Sequence, residues 1–163
     1  MKRLLLLRHA EANLDFSSIK DFDRPLNEIG SSDAQLIGEK LTQEKTEIDF
    51  MLSSGANRAI ATAKVIAKCV GYPIKSIEIN NDIYNSSHNI MMNVINSVLD
   101  IYSSIIIAGH NPTFHYLSQL LSDESLNEFP TCTVFCIEFD VDSWAQVIKG
   151  KKKFMIFPEL FKN

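Results

Sequence analysis

Glycine and proline are scarce in this chain, six and five of 163 residues, and they do not gather into a linker. No segment is repeated or of low complexity, so one domain over residues 1–163 is expected. Cysteine is scarcer still. Cys69, Cys132 and Cys136 lack metal-ligand spacing, and three thiols suit a reducing compartment better than a disulfide framework. Cys132 and Cys136 would share one face of a strand as small buried hydrophobes. No apolar run reaches transmembrane length. Only four leucines follow Met1-Lys2-Arg3 before charge returns, too few for the core of a secretion signal. A cytoplasmic protein without membrane association is the expectation. A basic excess is also missing: the net charge of -4 argues against general nucleic-acid binding. The one basic run, from Lys149 to Lys153, reads as a solvated strand end or turn.

What the chain does have is alternation. Hydrophobic content of 45% is ordinary for a globular protein, and the apolar residues fall into strand-like and helix-like blocks. Strands are expected at 3–7, 50–53, 74–79, 104–108, 133–139 and 145–149, with a possible last one at 153–157. Helices are expected at 31–43, 57–70, 88–101 and 112–121, and a polar loop runs from about Ala12 to Glu28. Repeated strand–helix units imply a three-layer α/β/α sandwich. Its sheet would be mainly parallel, with antiparallel additions near the C-terminus.

Three strand ends carry the chemistry. The run Leu4–Leu7, apolar enough to be buried on both faces, stops at Arg8-His9. In an open α/β sheet, ligands bind beyond the carboxyl ends of the strands. The run Ser104–Ala108 leads through Gly109 to His110-Asn111-Pro112, where Asn111 suits a helix N-cap and Pro112 the first helical position. Such a terminus favours a bound anion. Phe50–Ser53 leads through a Ser/Gly turn to Arg58 at a helix start. Two arginines and two histidines around one point form a phosphate pocket with a built-in nucleophile. Charge alone leaves His9 and His110 interchangeable in that role. The other histidines fit humbler places: His115 packs or caps within a helix, and His88 lies on a surface loop at a helix start. No two histidines have close ligand spacing with a carboxylate, so neither a metal nor another cofactor is expected.

With those residues in view, the chain resembles the histidine phosphatase superfamily, of phosphoglycerate-mutase-like fold, and in particular its small SixA-type phosphohistidine phosphatases. The matching residues are Arg8-His9-Ala10, Asp23-Arg24-Pro25-Leu26-Asn27 with Gly30, and Ser53-Ser54 through Arg58-Ala59 with Thr62-Ala63. Ile83-Tyr84, Gly109-His110-Asn111-Pro112 and Pro130-Thr131 follow in order. The resemblance implies that His9 is the nucleophile and that Arg8, Arg58 and His110 bind phosphate.

Departures from the family bear on the substrate. Larger members place a glutamate acid where Asn81 falls here, and an amide is no proton donor. Asp82 is adjacent and Glu11 follows the first motif, but neither matches that place. An alcohol leaving group needs the proton, whereas phosphohistidine can depart as a neutral imidazole. The short cap between Arg58 and His110 suits a protein substrate, so a phosphohistidine-bearing phosphorelay or phosphocarrier partner is expected. The alternatives are a small-molecule phosphomonoesterase using Asp82 or Glu11, and a non-catalytic phosphate- or phosphohistidine-binding module. Ala10 for glycine would narrow the nucleophile turn, Gly55 replaces a proline, and Thr113 a frequent glycine.

Overall fold

A computed structural model describes residues 1–14 and 18–163. Positions 15–17 of the predicted 12–28 loop lie outside them. Six strands form one sheet: β1 (Lys2–Arg8), β2 (Phe50–Ser53), β3 (Glu78–Ile79), β4 (Ser104–Gly109), β5 (Val134–Phe139) and β6 (Lys151–Ile156). Their order is β3-β2-β4-β1-β5-β6. The pairs β1–β4, β2–β4 and β2–β3 are parallel, while β5 and β6 add antiparallel. Four helices cover the sheet: α1 (Glu28–Gln43), α2 (Asn57–Val70), α3 (His88–Asn96) and α4 (Thr113–Ser122).

Alternation along the central strands builds two cores. Leu4, Leu6, Ile105 and Ile107 join the layer of α3 and α4, with Met91, Phe114 and Trp144. Leu5, Leu7, Ile106 and Ala108 join the layer of α1 and α2, with Ile37 and Ile66. Every residue of the leucine run is therefore buried, as a strand sandwiched on both faces requires. The expected α/β/α architecture is observed. Cys132 and Cys136 are buried in the same layer, as expected, though Cys132 precedes the strand at φ 59.

Several elements depart from their sequence-based bounds. Helix α1 starts at Glu28 rather than 31, because Asn27 caps it, accepting the Gly30 N–H at 2.7 Å. The strand expected at 74–79 is a 3-10 turn (Ile74–Ser76) followed by a two-residue strand. It lies at the sheet edge, where Ile74 and Ile79 stay 44% and 45% exposed and have no second layer to alternate against. Helix α3 ends at Asn96 rather than 101, since Asp100 is drawn away to accept the Trp144 N–H at 2.7 Å. The strand expected at 145–149 is a 3-10 turn at Trp144–Gln146. Trp144 and Val147, three apart, both turn into the core, and the indole N–H bonds the Tyr102 carbonyl. Helix α4 begins at Thr113, so Pro112 takes the N-cap position and Asn111 is not the cap. Its side chain donates instead to the Phe129 carbonyl at 2.9 Å.

The basic run is an ion-paired edge. Lys149 pairs with Asp123, Lys152 with Glu124 at 2.7 Å, and Lys153 with Glu138 at 2.7 Å. Among the described residues no helix is long and apolar enough to cross a membrane.

Candidate active site

Parallel pairing brings the chemistry together at one sheet edge. Arg8 ends β1 opposite Gly109 of β4, and the His9 N–H bonds the Gly109 carbonyl at 3.0 Å. His9 and His110, the residues just past those strands, lie with ring centroids 5.2 Å apart. Ser54 extends β2 by bonding the Ala108 carbonyl, and Arg58 follows in the first turn of α2. The four residues singled out in the sequence thus meet where three strands end.

The contacts of His9 fix its tautomer. Nδ1 lies 2.8 Å from the Ala10 carbonyl, which can only accept, so Nδ1 carries the proton. Arg58 Nε lies 3.3 Å from Nε2 and can only donate, so Nε2 carries the lone pair. Burial holds the His9 ring neutral, pushing its pKa down to about 3, with His110, Arg58 and Arg8 adding to the effect. His110 is lowered to about 4, again chiefly by burial and then by Arg58. Its Nε2 bonds Ser54 Oγ at 2.8 Å, and its buried Nδ1 has no hydrogen-bond partner among the described residues.

Both guanidinium groups are oriented by oxygens. Arg8 Nη1 donates to the Phe129 carbonyl at 2.7 Å, the same oxygen that Asn111 bonds. Arg58 Nη1 donates to the Asp21 carbonyl at 2.7 Å, and Nη2 to Asp21 Oδ2 at 3.1 Å. Asp21 also accepts from the Tyr84 hydroxyl at 2.5 Å. That hydrogen bond, followed by Arg58, lowers the Asp21 carboxyl to about 2, despite its limited desolvation. Tyr84 in turn sets its ring edge-on to His110. Asp21 and Tyr84 had no assigned role in the sequence. Asp21 lies 37 positions from Arg58, and nothing in a polar loop signals such a contact.

The three candidates for an acid or rim lie elsewhere or are engaged. Glu11 accepts from Asn27 Nδ2 at 2.9 Å and so belongs to the cap of α1. Asp82 lines a groove of about 560 Å³ with Phe50, Val94 and Tyr102, and none of the four clustered residues lines it. Asn81 does reach the site's edge. A Cβ on Gly55 would fall 1.9 Å from Asn81 Oδ1, so the missing side chain at 55 makes room for that amide.

Ala10 does not crowd the turn. Its methyl joins the core layer of Leu5 and Leu7, and its N–H donates to Thr62 Oγ1 at 2.9 Å. Thr113 Oγ1 ties α4 to the Ser86 carbonyl at 2.5 Å. His115 bonds the Leu126 carbonyl, and half-buried His88 rests against Tyr116. Among the described residues no group of three or more His, Cys, Asp or Glu could hold a metal ion. The cluster offers a neutral imidazole lone pair beside two fixed cations, a setting suited to a tetrahedral oxyanion.

Comparison with known proteins identifies the family. The model of the histidine phosphatase superfamily (branch 1) matches residues 4–85. Phosphohistidine phosphatase SixA of Escherichia coli is 26% identical over 141 residues, covering 85% of this chain and 86% of its own. The solved SixA structure from Agrobacterium tumefaciens superposes with a TM-score of 0.84 at 26% identity, over 96% of this chain and 98% of that one. A mycobacterial glucosyl-3-phosphoglycerate phosphatase shares the fold at a TM-score of 0.69 and 14% identity, over 94% and 98%. The matched segment takes in Arg8 and His9 at the end of β1 and Arg58 in the first turn of α2, and the chain belongs to the histidine phosphatase superfamily.

Proposed function

We propose that this phosphatase removes phosphoryl groups from phosphohistidine on a protein partner, through a covalent phosphohistidine at His9. The observation that carries the reading is the state of the carboxylates. Among the described residues, Asp21 is the one carboxylate hydrogen-bonded to the four-residue cluster, and its Oδ2 already accepts from both Arg58 and Tyr84. It orients Arg58 and has no proton to give. An ester would release an alkoxide that needs a proton, whereas a protonated phosphohistidine releases a neutral imidazole.

His9 Nε2 attacks phosphorus in line as the P–N bond to the partner breaks, and the partner's imidazole leaves. Arg8, Arg58 and His110 hold the equatorial oxygens, on which the transition-state charge is spread. Water then attacks the phosphorus of phospho-His9, returning the imidazole and releasing phosphate. The neutral form and fixed tautomer of His9 mean that no proton must leave Nε2 before attack. Access supports the protein substrate. Between Arg58 and His110 the chain builds the rest of α2, the short β3, 3-10 turns, the nine-residue α3 and β4, with no inserted cap.

The test is dephosphorylation, without added metal, of a phosphohistidine-bearing carrier protein beside an alkyl phosphate such as glycerol 2-phosphate, with wild type and His9→Ala. Fast loss of phosphohistidine, slow ester hydrolysis and an inactive variant are expected. Efficient ester turnover with an untouched carrier would point to a small-molecule phosphatase. Binding without turnover of either substrate would leave a phosphate-binding module.

A further inference from the structure

A second cavity, of about 500 Å³, opens between α1, the outer strand β6 and Phe161 near the C-terminus. Of its lining residues, Arg3 precedes His9 by six residues along the chain, about 20 Å at the rise of a strand, and Ile156 lies level with Leu7 across β5. Leu41 of α1, Phe154 and Ile156 of β6, and Phe161 near the C-terminus give it an apolar lining. Arg3, Lys40, Lys45 and Lys153 give it positive charge, against Glu44 as the lining carboxylate.

These cations are not equally engaged. Arg3 and Lys153 both bind Glu138, at 2.9 and 2.7 Å. Lys40 lies 4.8 Å over the Phe161 ring and donates to the neutral Gln43, with no ion pair among the described residues. Lys45 lines the same cavity just past α1, at φ 51, and forms no ion pair among the described residues. The Phe161 wall is held in place: the next residue, Lys162, pairs at 2.7 Å with Asp33, whose side chain is 4% exposed. An apolar cavity whose lining cations outnumber its one carboxylate is unexpected on a chain of net charge -4.

We propose that this cavity binds a small amphipathic anion: a singly charged carboxylate or sulfonate carrying a short alkyl chain or one aromatic ring. The head group lies between Lys40 and Lys45, and the tail crosses Leu41, Phe154 and Ile156. The volume is within the usual range for small-molecule sites. Glu44, between the two lysines in sequence, disfavours a multiply charged head such as a phosphate dianion.

Amide and methyl NMR of the full chain, titrated with octanoate and separately with 1-octanol, tests this. Octanoate is expected to shift Leu41, Ile156 and Phe161 saturably, with 1-octanol at least about tenfold weaker. Lys45→Glu and Phe161→Ala should each weaken octanoate about tenfold while phosphatase activity, none of whose four clustered residues lines the cavity, stays at wild-type level. No shift at millimolar octanoate, equal binding of 1-octanol, or unchanged octanoate affinity in Lys45→Glu would each overturn the assignment. Unchanged activity in the variants separates any of these results from misfolding.

Discussion

Asp21 shows how a single side chain can set the chemistry of its neighbours. Its carboxylate takes the Tyr84 hydroxyl and one arm of Arg58, and its own carbonyl takes the other arm. Orientation is the contribution to expect from so exposed a group, since an isolated surface ion pair is worth at most about 1 kcal/mol. Asp21→Asn keeps the shape and removes the charge. It should lower kcat/KM about tenfold, and equally for an alkyl phosphate such as glycerol 2-phosphate and for phosphohistidine, because a loosened Arg58 affects every phosphoryl group alike. Parallel kinetics on the two substrates check this; a loss confined to substrates with poor leaving groups would make Asp21 a proton donor. Arg8, His9, Arg58 and His110 were legible in the sequence because each follows a strand or opens a helix, and strand ends converge. Asp21 was not, since its contact depends on a loop folding back over the start of α2.

Elements were legible where two faces are buried and obscure where one is open. The leucine run and Ser104–Gly109 were recognisable because each neighbouring residue enters one core or the other. The edge segment at 74–79 and the stretch at 145–149 looked like strands because isolated apolar residues mimic alternation. Their actual form is set by position at an edge and by Trp144 filling the core. A close approach between elements also positions the nucleophile. A Cβ on Gly30, in the first turn of α1, would stand 2.0 Å from the Glu11 carbonyl oxygen, two residues past His9. Backbone cannot yield as a side chain can. Gly30→Ala should cost about 1–3 kcal/mol in urea unfolding and lower kcat as well, by shifting the turn that holds His9. An unchanged unfolding midpoint would mean that the two segments separate without penalty.

For the whole molecule, the buried histidines link stability to pH. In the unfolded chain an imidazole titrates near 6.5, whereas His9 and His110 stay neutral in the fold down to about 3 and about 4. Between those limits the unfolded chain binds more protons, so stability falls as the pH drops below about 6.5. Asp21 acts in the same direction lower down: its depressed pKa stabilises the fold above its ordinary value of 3.8, and this is lost as the pH falls toward about 2. Urea midpoints should therefore hold steady from pH 8 to 7 and decline from 6 to 4. The decline should be shallower in a His9→Gln/His110→Gln variant. A flat profile from pH 7 to 4 in the wild type would mean that these rings are protonated in the fold.

The covalent step at His9 is the centre of this account, and trapping the phosphoenzyme tests it most directly. The chain would be mixed with a radiolabelled phosphohistidine carrier and quenched in alkali, where phosphohistidine survives, within one turnover. Label on the wild type at up to one phosphoryl group per chain, mapping to His9 and absent from His9→Ala, is the predicted result. Turnover with no label on the chain, or turnover retained by His9→Ala, would contradict it.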